Sequence, residues 1–302
     1  MRKFFSFLIL FSFANQTIAA QEVRSLQARY DAMVSFYHEE SWDKVIEEGK
    51  QILEEFYDAN LGIESNFYLG IAYFHTEDFD FSNRYLSKYL KDSSSAGFFE
   101  KALTYKFLIA ENFRLGAKKH LAGWEKTPKW LSALDDAIEI YDEIISAYPY
   151  DKLGVKALYG KGIIYKKNKN YSKSLEAFQC ILQRFPADEL AIESYLEIGD
   201  IYVKRCEEEH LDPDWLELAE MNLKRFQEAF PGEKRIVEAK TGILQVKESF
   251  ARDLFETGRF YERTKKPQAA EIYYAKILSQ FSDTHTATKA KARLEELQVQ
   301  GS

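Results

Sequence analysis

The side chains that usually bind metals or carry protons are too scattered in this 302-residue sequence to form a recognisable catalytic site. None of the histidines forms the helical i, i+4 pair that zinc sites use. We therefore expect each histidine to be solvated or to lie at the edge of the core. The five are His38, His75, His120, His210 and His285.

Sequence signatures of the common enzyme classes are also missing. The chain has no G-x-S-x-G, P-loop or G-x-G-x-x-G motif. Acidic clusters such as Glu54-Glu55 and Glu207 to Glu209 fall on predicted helix surfaces or in loops, which favours solvated faces over paired catalytic carboxylates. The sequence therefore predicts a protein that is not an enzyme and has no cofactor or metal. An enzyme with an appended repeat domain is a competing class, but the repeats described below leave no room for a catalytic domain.

The sequence does contain residue types that suit the binding of a protein. The first group of them lies in the segment from Gly116 to Trp130. It holds four lysines against the single acid Glu125, and it holds two of the four tryptophans in the chain. Tryptophan beside cations suits a recognition surface. The residues predicted to bind a protein here are Lys118, Lys119, Trp124, Lys126 and Trp130. The alternative is a solubilised connector whose tryptophans fold back on the rest of the protein.

A second group of lysines and one tyrosine lies further along the chain at helical spacing. A tyrosine flanked by lysines suits an extended peptide or a carboxylate, and an ordinary mixed surface is the alternative. The residues predicted to bind a protein in this group are Lys156, Tyr159, Lys166 and Lys167.

The elements that position these side chains are predicted by the stretch from Leu158 to Pro186. Gly162 comes three residues before Tyr165, a second apolar stripe begins at Tyr171, and Phe185-Pro186 closes it. This pattern resembles the tetratricopeptide repeat, W-x2-L-G-x2-Y, then A-x3-F, then P. In such a repeat a small residue lets two helices cross closely, and a proline ends the second helix.

The same frame, with a small residue at +3 and a bulky one at +7, recurs along the chain. Its anchors are Trp42, Phe79, Leu134, Tyr171, Leu216 and Pro267. The anchors are 37, 55, 37, 45 and 51 residues apart. Against a 34-residue repeat, the excesses are about 3, 21, 3, 11 and 17 residues. The prediction is an all-α, right-handed tetratricopeptide-type solenoid of about six helix pairs with a C-terminal capping helix.

The frame also predicts individual elements. The expected helices include Gln21 to Glu40, Ser65 to His75, Phe99 to Leu115, Glu233 to Thr257, and Thr284 to Gln300. The expected loops are Lys91 to Ala96, Gly116 to Trp130, and Glu207 to Trp215. In an antiparallel pair, Cys180 and Cys206 would lie ~18 Å apart along the helix axis, because their distances from the turn differ by about 12 residues at 1.5 Å each. A disulfide requires Cα atoms within ~7 Å, so we expect both cysteines to be reduced and mostly buried.

The N-terminus reads as a secretory leader. Arg2 and Lys3 precede the apolar run Phe4 to Phe13, and Ile18-Ala19-Ala20 is an acceptable cleavage site. We predict a signal peptide over residues 1–20 and an exported, periplasmic protein, peripheral to the outer membrane. An uncleaved anchor is the alternative, but that run is shorter than the ~20 residues of a spanning helix.

The remaining chain is acidic and has no later segment apolar enough to cross a membrane. The formal net charge of all 302 residues is −7, and removing Arg2 and Lys3 with the leader would make it −9. Nucleic acid is therefore a poor partner, because neutralising phosphates requires clustered lysine and arginine.

Several features from about Leu153 onward resemble one family more narrowly. They are Phe185-Pro186 followed by Ile192 to Tyr202, the insertion with Asp212-Pro213, the long helix leading into Leu254 to Phe260, and the ending Ile277 to Thr284. In this order they are similar to the outer-membrane beta-barrel assembly lipoproteins of the BamD type (YfiO-like). That family carries a lipidated cysteine directly after its signal peptide, whereas this chain has Gln21 there. It also has about five pairs, against six here.

The resemblance implies a periplasmic, non-enzymatic scaffold that binds proteins or extended peptides, among them outer-membrane barrel assembly subunits. The expected organisation is a signal peptide over 1–20, N-terminal repeats over 21–95, and a BamD-like array over 96–302 continuous with them. The alternative function is an envelope scaffold that coordinates cell-wall or division proteins, like the Tol-Pal coordinators.

Overall fold

The structure, a computed structural model, describes residues 25–57, 59–92, 97–209 and 211–300. Within these residues the chain forms thirteen α-helices, one short 3-10 helix and a two-stranded antiparallel hairpin. The predicted signal peptide lies outside the described residues, as does most of the predicted loop from Lys91 to Ala96. No helix in the described part of the chain combines the length and apolar character needed to cross a membrane.

The helices of the N-terminal half are α1 (25–38), α2 (Trp42–Phe56), α3 (Asn60–His75), α4 (Phe79–Asp92), α5 (Phe99–Leu115), α6 (Leu134–Ala147) and α7 (Lys152–Lys167). Strands β1 (Lys118–His120) and β2 (Lys129–Ser132) lie between α5 and α6. The later helices are α8 (Tyr171–Arg184), α9 (Glu189–Glu208), α10 (Pro213–Ala229), α11 (Ile236–Arg263), α12 (Pro267–Gln280) and α13 (His285–Gln300).

The chain divides into two compact units whose boundary falls inside α7, between Ile164 and Tyr165. In the first unit, α3 packs on α2 and α4, and α5 packs on α6. In the second, α9 packs on α8, α10 and α11, and α11 also packs on α12 and α13. The expected division into residues 21–95 and 96–302 stays a prediction.

The predicted repeat register is confirmed by burial. Five of the six anchors are the first residues of α2, α4, α6, α8 and α12, and the sixth, Leu216, lies three residues into α10. Nearly every residue at +3 and +7 is buried, and Leu223 alone is half-buried. The buried ones are Val45, Gly49, Ser82, Leu86, Ala137, Tyr141, Ser174, Phe178, Ala219, Ala270 and Tyr274. Within the first unit α3 pairs with α4 and α5 with α6, and within the second α9 pairs with α10 and α11 with α12, which in turn packs on α13.

Close crossings within the pairs require small residues. A Cβ added to Gly70 on α3 would lie 2.5 Å from the Leu86 side chain on α4. One added to Gly258 on α11 would lie 2.6 Å from the ring of Tyr274 on α12. In both pairs the bulky +7 residue occupies the space that the glycine leaves, so a larger residue would push the helices apart.

The departures from the 34-residue period take two structural forms. The 21-residue excess does not form an open loop from Gly116 to Trp130 as predicted, because part of it pairs as β1 and β2. The predicted loop from Glu207 to Trp215 is also wrong, because α9 continues to Glu208 and α10 begins at Pro213. Asp212 explains the early start of α10, since its carboxylate accepts a hydrogen bond from the Asp214 backbone N–H at 3.0 Å.

The 17-residue excess lengthens α11, which spans 28 residues. It begins at Ile236, three residues after the predicted start, and continues to Arg263, six residues past the predicted end. The turns inside the pairs share one backbone feature. A non-glycine residue with positive φ lies two positions before the second helix in five of the six pairs. These residues are Glu40, Glu77, Lys169, Leu211 and Lys265. In the remaining pair, Gly116 has φ 116° and leads into the hairpin instead.

A buried lysine connects three helices of the first unit. Lys106 on α5 is fully buried, donates to the Ser87 hydroxyl on α4 at 2.6 Å and pairs with Glu143 on α6. Burial lowers the pKa of Lys106, and the pairing with Glu143 only partly offsets that effect.

Candidate interaction surfaces

The hairpin formed by residues 117–132 holds the first predicted binding group. Its strands pair Lys118 with Ser132 and Lys119 with Leu131, with an irregularity before His120. At the tip, the Thr127 hydroxyl lies 2.6 Å from the backbone oxygens of Leu121 and Trp124. The tip is therefore closed by its own hydrogen bonds.

The first attachment of the hairpin to the helices is His120. Its side chain is only 4% exposed, and its Nδ1 lies 2.9 Å from Asp80 Oδ1 on α4. The His120 backbone N–H also donates to Asp80 at 3.2 Å, and the ring packs edge-on against Phe81. The expectation of a solvated or core-edge histidine is wrong here, because Asp80 supplies the partner that makes burial tolerable.

The second attachment is Glu125, the only acid of the predicted loop. Its carboxylate accepts hydrogen bonds from Lys50 on α2 at 2.7 Å and from the Tyr73 hydroxyl on α3 at 3.0 Å. Burial opposes the charge of Glu125, but these two donors outweigh burial and lower its pKa below the usual range. Glu125 thus holds the tip of the hairpin against α2 and α3, a role that its sequence context does not indicate.

Two lysines complete the attachment. Lys119 pairs with Asp136 at 2.5 Å, and Lys129 pairs with Asp78 at 2.6 Å. Lys119 was predicted to bind a partner protein, and its charge is instead partly satisfied within the chain. These contacts join residues 17 and 51 positions apart, which a local sequence pattern does not reveal.

The remaining side chains of the predicted group face solvent. Trp124 is 71% exposed and Trp130 is 73% exposed, so neither tryptophan folds back on the protein. Lys118 and Lys126 are exposed and form no salt bridge with any described residue. The structure therefore brings these residues together on one stiff hairpin, and their binding of a protein stays a prediction.

The second predicted group is divided between the two units. In the first unit, Lys156 is exposed and Tyr159 is half-buried. In the second, Lys167 is exposed and Lys166 pairs with two carboxylates of α9, from Glu197 and Asp200. Burial opposes the charge of Lys166, but the hydrogen bonds to these carboxylates raise its pKa. Lys166 is therefore already bound within the chain.

Both cysteines are free thiols, as predicted, but Cys180 is only half-buried. Cys206 is buried, its thiol donates to the Asp212 carbonyl at 3.3 Å, and burial raises its pKa to about 11. A thiol with that pKa is a weak nucleophile at neutral pH. No cluster of three or more His, Cys, Asp or Glu side chains among the described residues could hold a metal ion.

The geometry described so far is that of a repeat protein, and its family can be named. The family model YfiO, described as an outer membrane lipoprotein, matches residues 131–300. This chain belongs to the YfiO family. The resemblance seen from about Leu153 onward is confirmed, and the YfiO match begins earlier, inside β2. The first five helices and β1 precede it. YfiO-family and tetratricopeptide folds act as protein-interaction scaffolds.

Comparisons with individual proteins add less. No curated protein matches the sequence. Among solved structures, MamA 41-end from Desulfovibrio magneticus RS-1 is 15% identical, covers 69% of this chain and 97% of its own, and has a TM-score of 0.39. A tetratricopeptide repeat protein from Parabacteroides merdae ATCC 43184 is 14% identical, with 91% and 99% coverage and a TM-score of 0.40. The apo form of RapI is 12% identical, with 90% and 99% coverage and a TM-score of 0.38.

Proposed function

We propose that this YfiO-family chain is a non-enzymatic, periplasmic scaffold that assists the assembly of outer-membrane proteins. The observation that carries the proposal is the YfiO match over residues 131–300, more than half of the chain. The proposed outer-membrane role is taken from the family description, outer membrane lipoprotein. The paired helices support a scaffold role, because stacked helix pairs present a larger binding surface than any one helix.

The α7 residues of the second predicted group are the proposed protein contacts. Lys156 and Lys167 are exposed and available to a carboxylate of a partner, and Tyr159 adds aromatic surface beside Lys156. Lys166 contributes less, because binding a partner would require it to leave Glu197 and Asp200. Exposed charges steer association more than they add affinity, so the effect of removing them should appear mainly in the association rate.

Affinity capture from detergent-solubilised envelope tests the proposal. We expect the wild-type chain to recover outer-membrane barrel proteins or their assembly subunits. The double variant Lys156→Glu/Lys167→Glu should recover less, whereas Lys276→Glu, at an exposed position on α12, should behave as wild type. Recovery of no barrel protein and no assembly subunit would exclude the proposed role. Peptidoglycan enzymes as the main partners would favour a coordinator of the Tol-Pal type.

Cell fractionation tests the proposed location separately. We expect the mature chain in the periplasm or loosely attached to the outer membrane, with Gln21 as its first residue. Mass spectrometry of the N-terminal peptide would identify that residue. A chain that keeps residues 1–20 in the cytoplasmic fraction would contradict export.

A further inference from the structure

The hairpin displays apolar side chains that the described chain does not cover. Besides Trp124 and Trp130, three leucines on the hairpin or directly before it are exposed. They are Leu115, Leu121 and Leu131. Five large apolar side chains exposed within seventeen consecutive residues are unusual for a surface that meets only water.

The backbone that carries these side chains is held in place. His120, Glu125 and Lys119 each contact a helix of the first unit, and Lys129 contacts Asp78 directly before α4. Arg84 on α4 donates to the Gly123 carbonyl at 3.1 Å. A surface that is already ordered loses little conformational entropy on binding. The hairpin can therefore bind a partner without first becoming ordered.

The charge of the hairpin indicates which kind of partner it binds. Lys118, Lys126 and Arg84 are exposed and positive. The carboxylates of Glu125, Asp136 and Asp78 already bind lysines, and that of Asp80 binds His120. In a chain of net charge −7, this hairpin thus presents positive charge and apolar surface together. Tryptophan with lysine is the composition that favours the headgroup layer of a bilayer.

We propose that the hairpin docks on an anionic lipid bilayer. Trp124 and Trp130 enter the interfacial layer, and Lys118 and Lys126 contact lipid phosphates. A bilayer accepts projecting side chains without a matching pocket, whereas a protein partner would have to supply a pocket for each tryptophan. The observations therefore favour lipid over the protein partner that composition alone suggested.

Fluorescence quenching tests this contact in the full chain. The variant Trp42→Phe/Trp215→Phe leaves Trp124 and Trp130 as the only tryptophans, and residues 1–20 contain none. Its emission therefore reports the hairpin even if the apolar N-terminus also binds lipid. With vesicles of phosphatidylglycerol and brominated phosphatidylcholine, we expect a blue shift and strong quenching. Emission unchanged by these vesicles would overturn the proposal.

Sedimentation with the same vesicles measures the binding energy. We expect Trp124→Ser/Trp130→Ser to weaken partitioning about tenfold, because each indole contributes buried apolar area. Lys118→Glu/Lys126→Glu should weaken it only when phosphatidylglycerol is present. The control Tyr150→Ser removes an equally exposed aromatic residue outside the hairpin and should change nothing. An equal loss for Tyr150→Ser, or loss of a captured protein without any lipid effect of the tryptophans, would contradict docking on lipid.

Discussion

The first unit and the second unit accommodate extra residues in opposite ways. Between α5 and α6, the additional residues form a hairpin with its own strands and tip. In α9, α10 and α11 they lengthen the helices to 20, 17 and 28 residues. A longer helix satisfies its new backbone groups internally, whereas a hairpin on the surface needs contacts with its neighbours to stay in one place.

That difference explains how each kind of insertion is held in place. The hairpin depends on His120, Glu125 and two lysines, each bound to a residue distant in sequence. The lengthened α10 needs only a local cap from Asp212. Loss of a single polar side chain should therefore loosen the hairpin, while the lengthened helices should be sensitive mainly to packing.

Overpacking the second unit has the largest expected effect. Ala270 is fully buried at the +3 position of α12. Ala270→Trp should destabilise the last pair by about 3 kcal/mol or more, because the indole has no space at a close helix crossing. Thermal unfolding followed by circular dichroism measures the change. Ile272→Trp, at an exposed position of the same helix, is the control, and an unchanged melting temperature for Ala270→Trp would show that the register is wrong.

Removing one polar anchor of the hairpin has the next largest effect. His120→Ala leaves the carboxylate of Asp80 without its main partner, which should cost about 2 kcal/mol. Amides of residues 118–132 should then exchange with solvent about 30-fold faster, since 1.4 kcal/mol is tenfold in an equilibrium constant. Hydrogen exchange by mass spectrometry measures this. The exposed His285→Ala should change nothing, and uniform acceleration across the whole first unit would mean that His120 supports the core rather than the hairpin.

The buried Lys106 and the half-buried Lys166 should give opposite pH dependences. The pKa of Lys106 is lowered, so its charge destabilises the folded state at neutral pH, and that cost falls as the pH rises through its folded pKa. The pKa of Lys166 is raised, so its charge stabilises the folded state below the ordinary lysine pKa, and that contribution is lost as the pH rises further.

Substitution of each lysine by methionine should show whether its charge stabilises or destabilises the folded state. Lys106→Met should stabilise the protein by about 1 kcal/mol at pH 7, and this gain should shrink toward alkaline pH. Lys166→Met should destabilise it by about 1 kcal/mol, with the loss also shrinking at alkaline pH. Urea unfolding at a series of pH values measures both. Lys106 pairs with one carboxylate, whereas Lys166 pairs with two. If both variants changed the stability at pH 7 in the same direction, the second carboxylate would not be what distinguishes the two sites.

The smallest expected effect concerns the turns. Lys265 has φ 58° in the turn before α12, a conformation that costs a non-glycine residue roughly 1 kcal/mol. Lys265→Gly should therefore stabilise the second unit by about 0.5 kcal/mol. Lys276→Gly, the same change in the interior of α12, should destabilise it by about 1 kcal/mol. Differential scanning calorimetry separates the two, and a loss for both variants would exclude backbone strain at Lys265.

The repeat register could be predicted because it depends on local spacing. The +3 and +7 positions follow from helix geometry, so Ser82 and Ala270 could be placed in close crossings without any long-range information. The end of α9 and the start of α10 were predicted less well, because acidic residues and Asp212-Pro213 favour a loop and a helix start equally.

The candidate surface was harder to predict. Lysines and tryptophans identified the segment from Gly116 to Trp130, but the pairing of β1 with β2 involves three- and four-residue strands with little alternation. The partners of His120 and Glu125 lie 40 and 75 residues away, at Asp80 and Lys50. Such contacts depend on how helices pack, so the sequence alone could not show which lysines remain free.

The length of α11 has a mechanical consequence. At 1.5 Å per residue its 28 residues extend about 42 Å. The same helix contacts α9 and α10 as well as α12 and α13. A load applied to α13 can therefore reach α9 through one continuous rod, without crossing a turn. Pulling on the C-terminus should strain the fifth and sixth pairs together, and a single cut within α11 would leave them to yield one at a time.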